Sequence, residues 1–168
     1  PKQLDGELRA AGKLAAVLSP FLTVEEAYLL ATYVRSIDPQ ALLVLGAIPV
    51  VGEDESYPKG FTIRAEKCPN RKGVTEVIAG LAGQVITWDE FLTKHLPSGN
   101  VQGAWVTGGS PDAATAAWTN AAVAEKFADL KLLIVQDLFS SPLMEAAHWR
   151  LPAAAFAERD GSYVNHSD

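Results

Sequence analysis

Four short runs in this chain are apolar almost without a break: Lys13–Ser19 (KLAAVLS), Ala41–Leu45 (ALLVL), Gly103–Thr107 (GAWVT) and Lys131–Gln136 (KLLIVQ). A strand with one face in water alternates apolar and polar residues, whereas a strand covered on both faces has no reason to. The four runs therefore read as inner strands of a sheet with helices on both sides. Helical signals lie between them. Thr23 and Glu26 form a capping-box pair ahead of the stripe Val24, Ala27, Tyr28, Ala31 and Val34. Thr87 and Glu90 repeat the capping pattern. Ser110-Pro111-Asp112 supplies a cap, a proline for the first helical position and an acid for the first turn. Strand and helix in alternation predict an α/β fold: a three-layer open sheet, mostly parallel, with right-handed crossovers.

One stretch breaks the rhythm. Gly46–Asn70 is rich in proline and glycine, carries the acidic Glu53-Asp54-Glu55, and is long for a connection inside a compact domain. It reads as a surface arm, at about residues 46–70, that packs on another part of a larger protein. The whole sequence, 168 residues, suits one domain. Its net charge of −6 would repel a phosphate backbone, so nucleic acid is not an expected partner. No apolar run approaches the roughly 20 residues of a membrane span, so direct membrane insertion is not expected either. Cys68 is the single cysteine, which excludes an internal disulfide and a cysteine-clustered iron–sulfur or zinc site within these residues.

Chemistry in an open α/β sheet gathers where the carboxyl ends of the strands meet a reversal of strand order. Three of the four runs end there in similar punctuation: Ser19-Pro20, then Gly108-Gly109-Ser110-Pro111, then Asp137 leading into Ser140-Ser141-Pro142. Gly108 and Gly109 allow close backbone approach, and a helix starting at Pro111 would aim unpaired N–H groups at a bound anion. Asp137 is placed to accept from a ribose or a base. These residues, with Ser110 and Ser141, are the candidate cofactor-binding set. The competing reading is a tight strand-to-helix turn, with Asp137 as a helix cap. A neighbouring cation such as Lys67 could lower the pKa of Cys68, but without a second cysteine a structural thiol is the simpler account. His95 suits a helix C-terminus. His148 and His166 show no metal spacing. Trp88, Trp105, Trp118 and Trp149 read as packing residues. No catalytic residues and no metal ligands are assigned.

The last third is more specific. Residues 132–165 resemble a segment of the molybdopterin oxidoreductase superfamily, which carries an apolar strand, Gln-Asp-x-Phe, Leu-Pro-Ala-Ala, a Glu and Gly-Thr-x-x-Asn. The matching positions are Gln136, Asp137, Phe139, Leu151, Pro152, Ala153, Ala154, Glu158, Gly161 and Asn165. GAWVTGGSPD resembles the family's strand and Gly-x-Asn-Pro loop. The arm, together with SPFLTVEEAYLLA, is most similar to the G subunit of NADH-quinone oxidoreductases, the respiratory complex I relative of formate dehydrogenase.

That resemblance implies a Rossmann-like domain spanning residues 1–168, excised from a larger oxidoreductase subunit. In cofactor-bearing relatives such a domain holds the nucleotide tail of a molybdopterin guanine dinucleotide, and Gly108, Ser110, Pro111 and Asp137 match that cradle. Ser110 stands where the family usually has Asn, Pro142 and Leu143 where it has Glu-Thr, and His148 where it has Asp. The first expectation is a structural and assembly role in the electron-transfer arm, as part of a subunit like the complex I G subunit. No cofactor is expected on this fragment, and iron–sulfur clusters are expected elsewhere in the parent protein. The alternative is the guanine dinucleotide-binding domain of a formate dehydrogenase-like enzyme. A free-standing nucleotide-binding module is a third, weaker reading. Expected partners are other domains of the subunit and other subunits of a respiratory complex, cytoplasmic and peripheral to the inner membrane.

Overall fold

The computed structural model describes residues 2–112 and 119–164. Its centre is a six-stranded parallel sheet. In chain order the strands are β1 (Leu14–Leu18), β2 (Leu42–Leu45), β5 (Ile86–Thr87), β6 (Gly103–Thr107), β7 (Leu132–Asp137) and β8 (Trp149–Pro152). In space they run β5-β2-β1-β6-β7-β8, every neighbouring pair parallel. The chain builds outward from β1 in one direction, then returns to its other side at β6 and builds outward again. This is the doubly wound, Rossmann-like order, and the reversal falls between β1 and β6.

Side chains leave a strand on alternate faces, so each inner strand feeds two cores. Ala15, Val17, Val44, Ala104, Val106, Leu133 and Val135 pack on one face against Trp88, Phe91, Phe127 and Leu143. Those residues come from α4 (Trp88–Glu90), the π-helical turn Phe91–His95 that extends it, and the segments around α5 (Ala121–Glu125) and α6 (Pro142–Glu145). Leu14, Ala16, Leu18, Leu43, Leu45, Leu132 and Ile134 face the other way. They meet α1 (Lys2–Ala11), α2 (Val24–Ile37) and α3 (Arg71–Ala82) through Leu8, Ala27, Ala31, Val34, Val74 and Ile78. Burying a side chain of this size contributes about 1.5–3 kcal/mol, so near-continuous apolarity in the strands follows from having two cores to fill. The tryptophans Trp88, Trp105 and Trp149 all pack against the sheet layers; Trp118 lies outside the described residues.

The four strands read from sequence are present, each within a residue or two of the expected limits. β5, β8 and α1 were not foreseen. Thr87 shows why β5 escapes notice: it closes the two-residue strand and also caps α4, its hydroxyl accepting the Glu90 N–H at 3.3 Å. The capping box at α2 forms as expected, with the Glu26 N–H on the Thr23 hydroxyl at 3.1 Å and the Thr23 N–H on the Glu26 carboxylate at 2.8 Å. Of the helix expected from Pro111 through the Ala-rich run to Phe127, the start needs correcting, since Pro111 and Asp112 are not helical; residues 113–118 lie outside the described residues, and Ala121–Glu125 is helical as α5, capped by Asn120.

The arm is a hairpin and not a structureless loop. β3 (Glu55–Ser56) and β4 (Thr62–Ile63) pair antiparallel, with a further bridge between Val50 and Glu66. Its bonds are mostly internal, such as the Val51 N–H on the Ala65 carbonyl at 2.9 Å and the Arg64–Asp54 ion pair at 2.7 Å. Val50, Val51, Tyr57, Phe61 and Ile63 are all exposed along it. Among the described residues no helix is long and apolar enough to cross a membrane.

Candidate functional site

At the reversal the carboxyl ends of β1 and β6 lie side by side, and Gly109 of the loop after β6 approaches Phe21 of the loop after β1. Thr107 stitches the two together. Its hydroxyl donates to the Val17 carbonyl at 2.8 Å and accepts the Ser19 N–H at 2.9 Å. Immediately beyond it, Gly108, Gly109 and Asp137 come together as the sequence suggested. Their arrangement was not foreseen. One carboxylate oxygen of Asp137 accepts both the Gly109 N–H at 2.8 Å and the Leu138 N–H at 2.7 Å. The Gly108 N–H is bonded to the Gln136 carbonyl at 2.8 Å. Gly108 is glycine because a Cβ there would overlap the Asp137 carboxylate. Gly109 is glycine because its φ of +109° suits no other residue well.

The chain has therefore placed its own anion in its glycine loop. Asp137 is 6% exposed, and burial pushes its carboxyl above the usual range while the two amides pull it partly back. An incoming phosphate would meet amides already bonded and a carboxylate beside them. As arranged, the loop does not fit the phosphate of a guanine dinucleotide. Ser110 is buried and turned onto its own loop, its hydroxyl donating to the Asp112 carbonyl at 3.1 Å. Ser141 caps α6 by accepting the Met144 N–H at 3.1 Å, so the cap of that helix is Ser141 and not Asp137.

Two residues organise this edge that sequence reasoning missed. Asn70 is fully buried and joins three segments: its backbone N–H donates to the Pro20 carbonyl, its side-chain amide donates to the Leu22 carbonyl at 2.8 Å, and its side-chain oxygen accepts the Val164 N–H at 2.7 Å. Arg159 donates to the Glu26 carboxylate and to the Phe21 carbonyl, both at 2.8 Å. Around them the segment 153–164 forms a strap across the edge. The Ala153 N–H holds the Asp137 carbonyl, the Val24 N–H holds the Ser162 carbonyl, and Gly161 lies so close to Thr23 that a Cβ would sit 2.5 Å from its side chain. Leu151, Pro152, Ala153, Glu158 and Gly161 of the family-like segment thus have structural tasks here: the first two belong to β8, and the Glu158 carboxylate accepts the Ala155 N–H at 2.8 Å.

Beside the closed loop the strap encloses a pocket of about 610 Å³, lined by Phe21, Gly109, Leu138, Phe139, Phe156 and Arg159 among others. Its wall is apolar and aromatic. Across Pro69 and Tyr163 lies a second, polar hollow of about 690 Å³ at the base of the arm, containing Cys68 and the Arg71–Glu66 pair at 2.8 Å. Burial and the Glu66 carboxylate push the Cys68 thiol up to about 12, the reverse of the activation by a cation that its sequence setting suggested. The thiol donates to Glu66 at 3.4 Å and is structural. His148 serves the sheet, its Nδ1 accepting the Leu133 N–H at 3.0 Å. No group of metal-binding side chains forms among the described residues.

An open doubly wound sheet with a glycine loop and an acid at its switch point defines a dinucleotide-fold domain. A family model for molybdopterin oxidoreductase matches residues 70–168, and the protein belongs to that family. No curated protein and no solved structure matched the sequence.

Proposed function

We propose that this protein is the Rossmann-like domain of an NADH-quinone oxidoreductase subunit of the G type, serving assembly of the electron-transfer arm without an active site of its own. The observation that carries this reading is the Asp137 carboxylate bonded to the Gly109 and Leu138 amides, which are the donors a nucleotide phosphate would need. A domain that keeps the family's sheet but fills its own cradle is suited to holding neighbours in place. Iron–sulfur clusters of such a subunit would then lie in other domains, and the hairpin 50–66, with its exposed Val50, Val51, Phe61 and Ile63, would meet one of those neighbours.

The second reading is the guanine dinucleotide-binding domain of a formate dehydrogenase-like enzyme. The position of the cradle at the switch point favours it. Isothermal calorimetry with GMP and GDP separates the two readings. No heat of binding up to millimolar nucleotide is the expected result. Micromolar affinity that falls at least tenfold in a folded Asp137→Asn protein would overturn the assembly role.

A further inference from the structure

The pocket under the strap has a lining at odds with the anion that its position invites. We propose that it binds a neutral, flat, largely hydrocarbon ring compound. Four aromatic side chains converge on it from three separate parts of the sequence: Phe21 after β1, Phe139 after β7, and Phe156 and Tyr163 from the strap. Leu138, Pro69, Pro111 and Ala155 complete the apolar wall. Its volume of about 610 Å³ lies within the range of roughly 300–1,000 Å³ typical of small-molecule sites.

Most of the polar groups around it are already bonded. The Gly109 and Leu138 amides are held by Asp137, and the Arg159 guanidinium is held by Glu26 and the Phe21 carbonyl. A phosphate or carboxylate entering here would shed water and meet a single buried donor without a partner, the Arg159 Nε, beside the Glu26 and Asp137 carboxylates. An uncharged ring loses little on entry and gains stacked and edge-on contacts with the four aromatics. Phe156 is 73% exposed and Phe139 44% exposed at the rim, so a bound ring would also take their wet faces out of water. The inference shares the closed cradle with the proposed function but makes a separate demand, that something fills the space beside it.

The test uses the 168-residue chain and the uncharged fluorophore N-phenyl-1-naphthylamine, which brightens in apolar surroundings. The expected result is saturable one-site binding in the micromolar range. Ala155→Trp, which fills the pocket, should weaken it at least tenfold. Phe156→Ser, at an exposed rim position that does not threaten folding, should weaken it several-fold. Phe61→Ser, an exposed aromatic on the arm that does not line the pocket, should leave it unchanged, and GMP should not displace the probe. Absent or non-saturable binding, or binding indifferent to both pocket variants, overturns the inference while leaving the assembly role standing. Displacement of the probe by micromolar GMP overturns both.

Discussion

Two segments leave the same carboxyl edge of the sheet and treat their polar groups in opposite ways. The loop after β6 turns them inward: its Gly109 amide is bonded to the buried Asp137 carboxylate at the end of β7, and its Ser110 hydroxyl to the Asp112 carbonyl two residues on. The arm after β2 turns its charges and its apolar side chains outward, its few bonds internal to a two-stranded hairpin. An isolated hairpin of that size has little stability of its own in water. The difference teaches that burial, and not the density of glycine, proline and acids that both segments share, separates a part that stabilises its own domain from a part that waits for a neighbour.

Substitutions can break that contrast. The largest effect should come from Asp137→Ala, which orphans two buried amides and is expected to cost about 3 kcal/mol in chemical unfolding. Gly108→Ala should cost about 2 kcal/mol by driving its methyl group into the same carboxylate. Combining the two should cost clearly less than their sum, because Asp137→Ala removes the group that the methyl strikes. Additive losses would mean that the carboxylate does not fill the loop. On the arm, Phe61→Ser and Ile63→Ser should stay within about 0.5 kcal/mol of the parent. Larger losses would show that the hairpin already packs on its own domain. Hydrogen exchange gives the same contrast without mutation: amides of residues 51–65 should exchange well before those of β6 and β7.

Titration sharpens the comparison further. The folded-state pKa of Asp137 is raised above the ordinary 3.8, so the native protein holds this proton more tightly than the unfolded polypeptide does. Its contribution therefore falls as pH rises from near that ordinary value through the raised one, and is level above it. Relative to the parent, Asp137→Asn should gain stability across that window. The opposing shifts of the exposed acids Asp5, Glu7, Glu25 and Asp54 act equally in both proteins and cancel in the difference. At the arm's base, a Cys68 thiol raised from 9.0 to about 12 leaves roughly a thousandfold less thiolate at pH 8. Alkylation by iodoacetamide should be correspondingly slow, and Glu66→Gln should speed it.

Much of this was legible in the amino acids because it is local. The inner strands announce themselves through runs with no polar face, and the α2 cap through two residues three apart. β8 was harder, since it lies at the edge and alternates half-buried with exposed residues. The polar helix α1, with Lys2, Gln3, Asp5, Glu7 and Arg9 among its ten residues, carries its signal mainly in Leu8 and Ala11. At the candidate site the cluster of Gly108, Gly109 and Asp137 could be named, but whether Asp137 reaches an outside ligand or its own loop depends on a packing distance that spacing does not encode. Asn70 and Arg159 were invisible for the same reason: Arg159 meets Glu26 across 133 positions, and Asn70 meets Val164 across 94.

Those long separations have a consequence for synthesis. At roughly 5–20 residues per second, a ribosome completes α2 on the order of ten seconds before Arg159 is made. During that interval the Val24 amide and the Phe21 carbonyl have no strap to meet, and the mouth of the crevice stands open. Anything that binds there in the nascent polypeptide competes with the strap for the same groups, so translation speed between α2 and the strap should govern how much protein matures unassisted.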